Sequence, residues 1–406
     1  MTVNGIIAEY NPFHNGHAYH ISKSKDLTGA DFTIIVMSGD FVQRGAPAIL
    51  DKHLRTHMAL EGGADLVIEL PTVYALSCAE QFAFGGVSIL NSLGVTDYLC
   101  FGSETDDLVQ LQTLSNALSE ESDETCDAIK SSLQNGHSYP KARINALFKS
   151  HPEYKEFTEI LSSPNNILAL EYLQALKKLK STIQPFPISR IGDAYHSTES
   201  TSVYSSATAI RKLLLTSDQL DPLKDLLPDL SFRIIVKQAK ENALLTENDF
   251  SSLLLYKLLL QSEKGYDSFQ DINTDLSDRI RKHLFEFDSF KGFCDTLKTK
   301  NLTYARIGRG LCNILLDLPS LDHFEAPKYA RVLGFKESAK PLLTKIKKNS
   351  SIPLVTKYAD AKNYLPQDAL QMLDIDLKCA HIYEAVLSGK TGRLPRNETR
   401  LPICKL

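Results

Sequence analysis

Along the first hundred residues, short runs of consecutive apolar positions alternate with stretches where apolar positions recur every three or four residues. Runs at 3–8 (VNGIIA), 32–37 (FTIIVM), 65–70 (DLVIEL) and 97–101 (DYLCF) predict strands buried on both faces. The helical period fills 17–27, 51–61 and 77–93. Strand and helix in turn predict a parallel sheet with right-handed crossovers, that is, an α/β doubly wound fold. A fifth run at 181–189 (STIQPFPIS) holds two prolines and predicts an edge strand.

Between the fourth and fifth strands lies an insertion at 104–179, acidic at first and mostly helical. Within it, 136–143 (GHSYPKAR) reads as a structured loop, and 164–166 (PNN) opens a helix over 167–179 with Asn as its N-cap. Beyond Ser205 the pattern turns helical and stays so. The expected organisation is a parallel-sheet unit at 1–220 followed by an all-α unit at 221–406.

At 406 residues the chain is too long for one ordinary core. With 43% hydrophobic and 23% charged residues it is not a disordered chain. No apolar run approaches a membrane span, and 1–10 lacks the basic segment of a signal peptide. Seven scattered cysteines without a CxxC pair indicate neither zinc nor a disulfide framework, so a reduced, cytoplasmic setting is expected. The net charge of −4 hides an asymmetry: residues 331–406 carry 14 Lys/Arg against 7 Asp/Glu. A basic end on an acidic body suits contact with a polyanion, and equally suits a solvated helical face.

The strongest local signal is Ile6 to Tyr19, IIAEYNPFHNGHAY. A buried strand runs through a turn into His14-Asn15-Gly16-His17 at the mouth of a helix, where backbone N–H groups and the dipole favour an anion. Two histidines three apart can donate to one phosphate as charge builds on it. HxGH arises by chance roughly 0.015 times in a chain of this composition, so coincidence is a minor alternative. The bland reading is a pair of core histidines capping a helix. A second stretch, Ser205-Ser206-Ala207-Thr208-Ala209-Ile210-Arg211, follows the last strand.

HNGH and SSATAIR together resemble the paired signatures of the HIGH-type nucleotidyltransferases, with Ala207 where that superfamily usually has Thr. GIIAEYNPFHNGH, MSGDFVQR (37–44), DKHLRTHMAL (51–60), DLVIELP (65–71), FGSE (101–104), GHSYPKAR, PNNILALEYL and SSATAIR resemble more narrowly the tRNA(Met) cytidine acetate ligase family. Asp40 and His53 depart from that pattern without touching the histidine signature. The resemblance is dense over 1–215, with an echo at 304–316.

The resemblance implies a Rossmann-like ATP site and an ATP-dependent ligase. Such an enzyme activates acetate as acetyl-adenylate and acetylates N4 of the wobble cytidine in elongator tRNA(Met). It implies catalytic roles for His14, His17, Lys52 and Arg211. Nucleotide contacts are implied for the segment Ile7, Ala8, Glu9, Tyr10, Asn11, Pro12, Phe13, His14, Asn15, Gly16, His17, Ala18, Tyr19 and His20. Further contacts are implied for Gly102, Asn165, Asn166, Arg190, Ser205, Ser206 and Thr208. Arg44 and Arg55 join Lys52 as candidates for acetate, phosphate or RNA, against a solvated helix start. Mg²⁺ is expected to be carried by the phosphates; Asp40 and Glu104 are outer candidates and no protein ligand is assigned.

For the RNA, the basic clusters are Lys298, Lys300, Arg306 and Arg309; Lys345, Lys347 and Lys348; and Arg393, Arg396, Arg400 and Lys405, with Tyr329, Tyr358 and Tyr364 as stacking candidates. The competing functions are a small-molecule adenylyltransferase and a non-catalytic ATP-regulated RNA-binding protein. The first leaves the basic helical end without a role, and the second leaves both histidines without one. Nothing in the sequence fixes the oligomeric state.

Overall fold

The protein is described from a computed structural model covering residues 1–119, 122–134, 139–189, 205–217, 219–321 and 324–406. Eight strands share one sheet: β1 (Val3–Ala8), β2 (Phe32–Ser38), β3 (Leu66–Leu70), β4 (Tyr98–Ser103), β5 (Gln184–Ser189), β6 (Ala330–Phe335), β7 (Leu354–Val355) and β8 (Cys404–Lys405). Their order is β8-β6-β3-β2-β1-β4-β5, with β7 paired to β6. The five strands β3-β2-β1-β4-β5 are all parallel. The continuous apolar runs follow from burial on both faces. Ile7, Ile34, Ile68 and Leu99 point into one core, and Ile6, Ile35, Val67 and Cys100 into another.

Seven helices matter for the site: α1 (Asn15–Thr28), α2 (Lys52–Glu61), α3 (Ala79–Ser92), α4 (Pro164–Lys178), α5 (Ala207–Thr216), α6 (Tyr304–Leu316) and α7 (Gln367–Thr391). Leu245, Phe250, Phe293 and Leu311, from the helical part beyond β5, help form a third core that also takes in Tyr383 of α7. That part is not purely helical. β6 returns to the sheet antiparallel to β3, with Glu69 opposite Arg331, and β8 pairs with β6. The apolar pattern of 330–335 is broken by Arg331, which hides the strand from a periodicity reading.

Two local expectations also shift. Tyr139–Ser150 is helical rather than a loop, while 135–138 lie outside the described residues. α4 starts at Pro164 rather than 167, so Asn165 and Asn166 sit inside its first turn.

The sheet order places β1 between β2 and β4. The chain winds outward from β1 to β3, then returns to the other side of β1 for β4 and β5. The loops after β1 and β4 therefore diverge and leave a crevice at the carboxyl ends, the topological switch point where open α/β sheets bind ligands.

Candidate active site

That crevice is a cleft of about 230 Å³. Its first wall is the β1–α1 connection: Ile7, Ala8, Glu9, Tyr10, Asn11, His14, Gly16, His17, Tyr19 and His20 all line it. His14, in extended backbone, is the N-cap of α1, and its Nδ1 accepts from the Gly16 N–H at 3.1 Å. His17 completes a capping box, its Nδ1 accepting from the His14 N–H at 3.3 Å. The two rings lie 3.7 Å apart between centroids, and Tyr10 and Phe13 back the His17 ring.

The capping reading and the phosphate reading therefore coincide. With each Nδ1 lone pair taken by a backbone N–H, a neutral ring carries its proton on Nε2. Capping converts both histidines into oriented Nε2–H donors at a helix N-terminus.

The second signature closes onto the first. Ser206 caps α5 by accepting from the Ala209 N–H at 3.1 Å. One turn on, Arg211 donates Nη1 to the Asn11 carbonyl at 2.6 Å and Nη2 to Thr208 Oγ1 at 3.3 Å. Asn11 is itself fixed, its Oδ1 accepting from the Ile49 N–H at 2.8 Å. Burial first, and then the nearby Arg44 guanidinium, lower the Arg211 pKa from its ordinary value, with Glu9 and Glu247 acting the other way. Ser206, Thr208 and Arg211 line the cleft; Ser205 is buried immediately before them.

The opposite wall is apolar. Gly102 at the end of β4 and Asn165 at the start of α4 line it, with Phe82, Phe101, Leu168, Tyr172 and Ile188. Phe101 and Tyr172 pack with ring centroids 5.7 Å apart. Asn166 supports this wall without lining it: its Oδ1 accepts from Ser103 Oγ at 2.6 Å and the Glu104 N–H at 2.9 Å. The cap of α4 is Glu104, whose carboxylate accepts from the backbone N–H of Asn165 and Asn166 and from the Asn165 side chain at 2.7 Å. Glu104 is thus occupied as a helix cap, and Arg190 lies outside the described residues.

Other expected residues fall elsewhere. Pro12, Phe13, Asn15 and Ala18 do not line the cleft; Phe13 is fully buried and Asn15 Nδ2 donates to the Asp225 carbonyl at 2.8 Å. Lys52, expected in the catalytic set, does not line the cleft. It is 1% exposed, and its Nζ lies 2.8 Å from Glu69, 3.0 Å from Glu398 and 3.6 Å from Asp40. Its charge is consumed in the interior. Arg55 is also buried, donating to the carbonyls of Leu50, Glu9, Ser38 and Gly39 and so fastening the loops after β1 and β2. Tyr329 is 1% exposed, its hydroxyl donating to Asp376, which rules it out as a stacking platform.

Gln43 and Arg44 line the cleft from the loop after β2. That loop turns at Gly45, whose φ is +75° and where a Cβ would stand 2.1 Å from the Arg309 nitrogen. α6 is thereby seated directly against the cleft rim. Phe82, Phe101 and Tyr172 carried no signal beyond that of core residues. No metal-binding group of three or more His, Cys, Asp or Glu exists among the described residues, and all seven cysteines are free. No helix of the described residues is long and apolar enough to cross a membrane.

Comparison with known proteins accords with this geometry. Residues 1–397 match the family described as HIGH Nucleotidyl Transferase. The tRNA(Met) cytidine acetate ligase of Clostridium kluyveri is 44% identical over 393 residues, 94% of each chain. The one from Thermoanaerobacter sp. is 42% identical over 409 residues, covering 100% of both. The crystal structure of apo Thermotoga maritima TmcAL superposes with a TM-score of 0.93 at 32% identity, and the form bound with alpha-thio ATP with 0.91 at 31%, each covering 100% of both chains. With two histidine donors, a closing arginine and an apolar wall held at the switch point of such a sheet, the chain belongs to the HIGH nucleotidyltransferases and, within them, to the tRNA(Met) cytidine acetate ligase family.

Proposed function

We infer that this chain is an ATP-dependent ligase that joins acetate to N4 of the wobble cytidine of elongator tRNA(Met), giving N4-acetylcytidine through acetyl-adenylate. The observation that carries the reading is the convergence of HNGH and SSATAIR on one cleft, Arg211 bonding the Asn11 carbonyl, in a chain matched end to end by such ligases.

In the first step an acetate oxygen attacks the α-phosphorus and pyrophosphate leaves. Acetate is ionised at neutral pH, so no base is required; positioning and charge neutralisation do the work. His14 and His17, the α1 N-terminal amides and Arg211 are placed to supply donors, and the Phe101–Tyr172 wall suits adenine. Mg²⁺ fits as an ion that enters with the triphosphate, since Asp40 accepts from the Lys52 N–H at 2.8 Å and Glu104 is a cap.

For the tRNA, position separates the basic clusters. Lys345 donates to the Met1 carbonyl, at the amino end of the sheet and away from the cleft. Arg396 is engaged by Glu384 and Asp51, and Arg393 by Glu241. Arg309 reaches the Gln43 carbonyl on the cleft rim, which favours its cluster, with Arg306, Lys298 and Lys300, as the RNA contact. A cytoplasmic location follows for an enzyme acting on tRNA.

The test is incubation with ATP, isotope-labelled acetate and bulk tRNA, followed by nucleoside analysis. Label in N4-acetylcytidine at the wobble position of elongator tRNA(Met) is expected. Label in a small adenylated metabolite instead would establish the adenylyltransferase reading.

A further inference from the structure

The acetyl-transfer half of this reaction must dispose of a proton, and the histidines are poorly placed to take it. His14 and His17 each spend the Nδ1 lone pair on a backbone N–H, which leaves them as donors. Glu9 is the one carboxylate among the described residues that line the cleft. It follows β1 directly, and its backbone carbonyl is held by Arg55 Nη1 at 2.7 Å. Its Oε1 is buried and has no hydrogen-bond partner among the described residues. A carboxylate beside a triphosphate site opposes the first step by like-charge repulsion, and that step needs no base. Its presence is explained by the second step.

We propose that Glu9 is the proton acceptor for acetyl transfer. This rests on the ligase reading and specifies how the same cleft completes it. The cytidine N4 lone pair attacks the acetyl carbonyl carbon and the N4–C bond forms. The bond from that carbon to the phosphate oxygen breaks, its electron pair leaving with AMP. One N4–H bond gives its electrons to nitrogen and its proton to the Glu9 carboxylate, and later to water. Once acylated, the nitrogen is far too acidic to keep both protons, so a carboxylate is a sufficient acceptor.

The test separates the two halves of the reaction. Acetate-dependent ATP–pyrophosphate exchange is measured for wild type and Glu9→Gln, beside single-turnover transfer from preformed acetyl-adenylate to an elongator tRNA(Met) transcript. Transfer by Glu9→Gln slowed roughly 10²–10⁴-fold, and by at least tenfold more than its exchange, is expected. Glu9→Asp, which keeps the carboxylate, should recover part of the transfer rate.

Parallel loss of both halves in a variant that still folds would assign Glu9 to the nucleotide or its metal and overturn the proposal. Unchanged transfer would mean that the departing phosphate takes the proton. Loss of transfer in His20→Ala with normal transfer in Glu9→Gln would move the role to His20. Should Glu9→Gln fail to fold, Glu9→Asp decides alone: transfer slowed well beyond exchange supports the proposal, and equal slowing of both contradicts it. Wild-type protein that exchanges but never acetylates the transcript would sink the ligase reading itself.

Discussion

Two polar clusters stand along the carboxyl edge of the same sheet, one at β1 and β4, the other at β2, β3 and β6. In the second, Lys52 and Arg331 meet Glu69, Glu398 and Asp40, each 12% exposed or less. Burial works against the Lys52 charge, yet Glu69, Glu398 and Asp40 still hold its pKa above the ordinary value with Arg331 opposing. Burial would likewise raise Glu398, but Lys52, His53 and Arg331 together drive it well below the carboxylate range. Every charge there is answered from within the protein. In the first cluster His14, His17 and Arg211 line one cleft, with a single carboxylate among the described residues that line it. The first cluster surrounds an open cleft, whereas the second is closed within the interior. This knot also joins the two ends of the chain, since Glu398 lies far from Lys52 in sequence.

The contrast can be broken most forcefully at Lys52. Lys52→Met strips Glu69 and Glu398 of a buried partner and should cost about 3–5 kcal/mol in denaturant unfolding. Acetate-dependent exchange per folded molecule should stay near wild type. A stable variant that no longer exchanges would return Lys52 to the catalytic set. His17→Ala should do the reverse: exchange slowed roughly 100- to 1000-fold, for a stability loss of about 1 kcal/mol from the missing cap. Near-normal exchange would remove the histidine signature from the mechanism.

The pH dependence of stability sharpens the picture of the knot. Asp376 donates nothing as an ion yet accepts from the Thr72 N–H at 2.7 Å and Tyr329 Oη at 2.6 Å. Burial first, and then Glu69, push it up to about 6. A carboxyl raised in the fold binds more protons than the unfolded chain between about pH 4 and 6, so stability increases as pH falls through that window. Going from pH 7 to 5 should add about 1 kcal/mol, and Asp376→Asn should abolish this gain. An identical slope in the variant would place the titration elsewhere. The smallest effect expected is on RNA. Arg306→Gln with Lys298→Gln and Lys300→Gln should weaken tRNA binding a fewfold and flatten its salt dependence without altering exchange. Lys345→Gln should do neither, and equal losses from both would erase the distinction drawn from their positions.

What could be read from the sequence was local. HNGH sits where strand, turn and helix follow within a few residues, so its setting was visible at once. The parallel sheet showed as apolar runs because both faces are covered. The misreadings share one cause, a partner remote in sequence. The burial of Lys52, expected to be catalytic, was hidden because its partner Glu398 stands near the other end of the chain. Asn166 looked like an N-cap because the true cap, Glu104, comes from the end of another strand. β6 was hidden because Arg331 interrupts its apolar pattern to enter the knot. Phe101 and Tyr172 read as ordinary core, since an apolar ligand wall and a core have the same composition. Acetate and methionine tRNA entered through resemblance alone; no spacing of residues encodes them.

The most direct measurement is ATP–pyrophosphate exchange with and without acetate, run on wild type, His17→Ala and Lys52→Met at a temperature where all three are folded. The open cleft predicts acetate-dependent exchange in wild type and Lys52→Met and its collapse in His17→Ala. Exchange that survives in His17→Ala but vanishes in folded Lys52→Met would contradict it and place the chemistry in the buried knot.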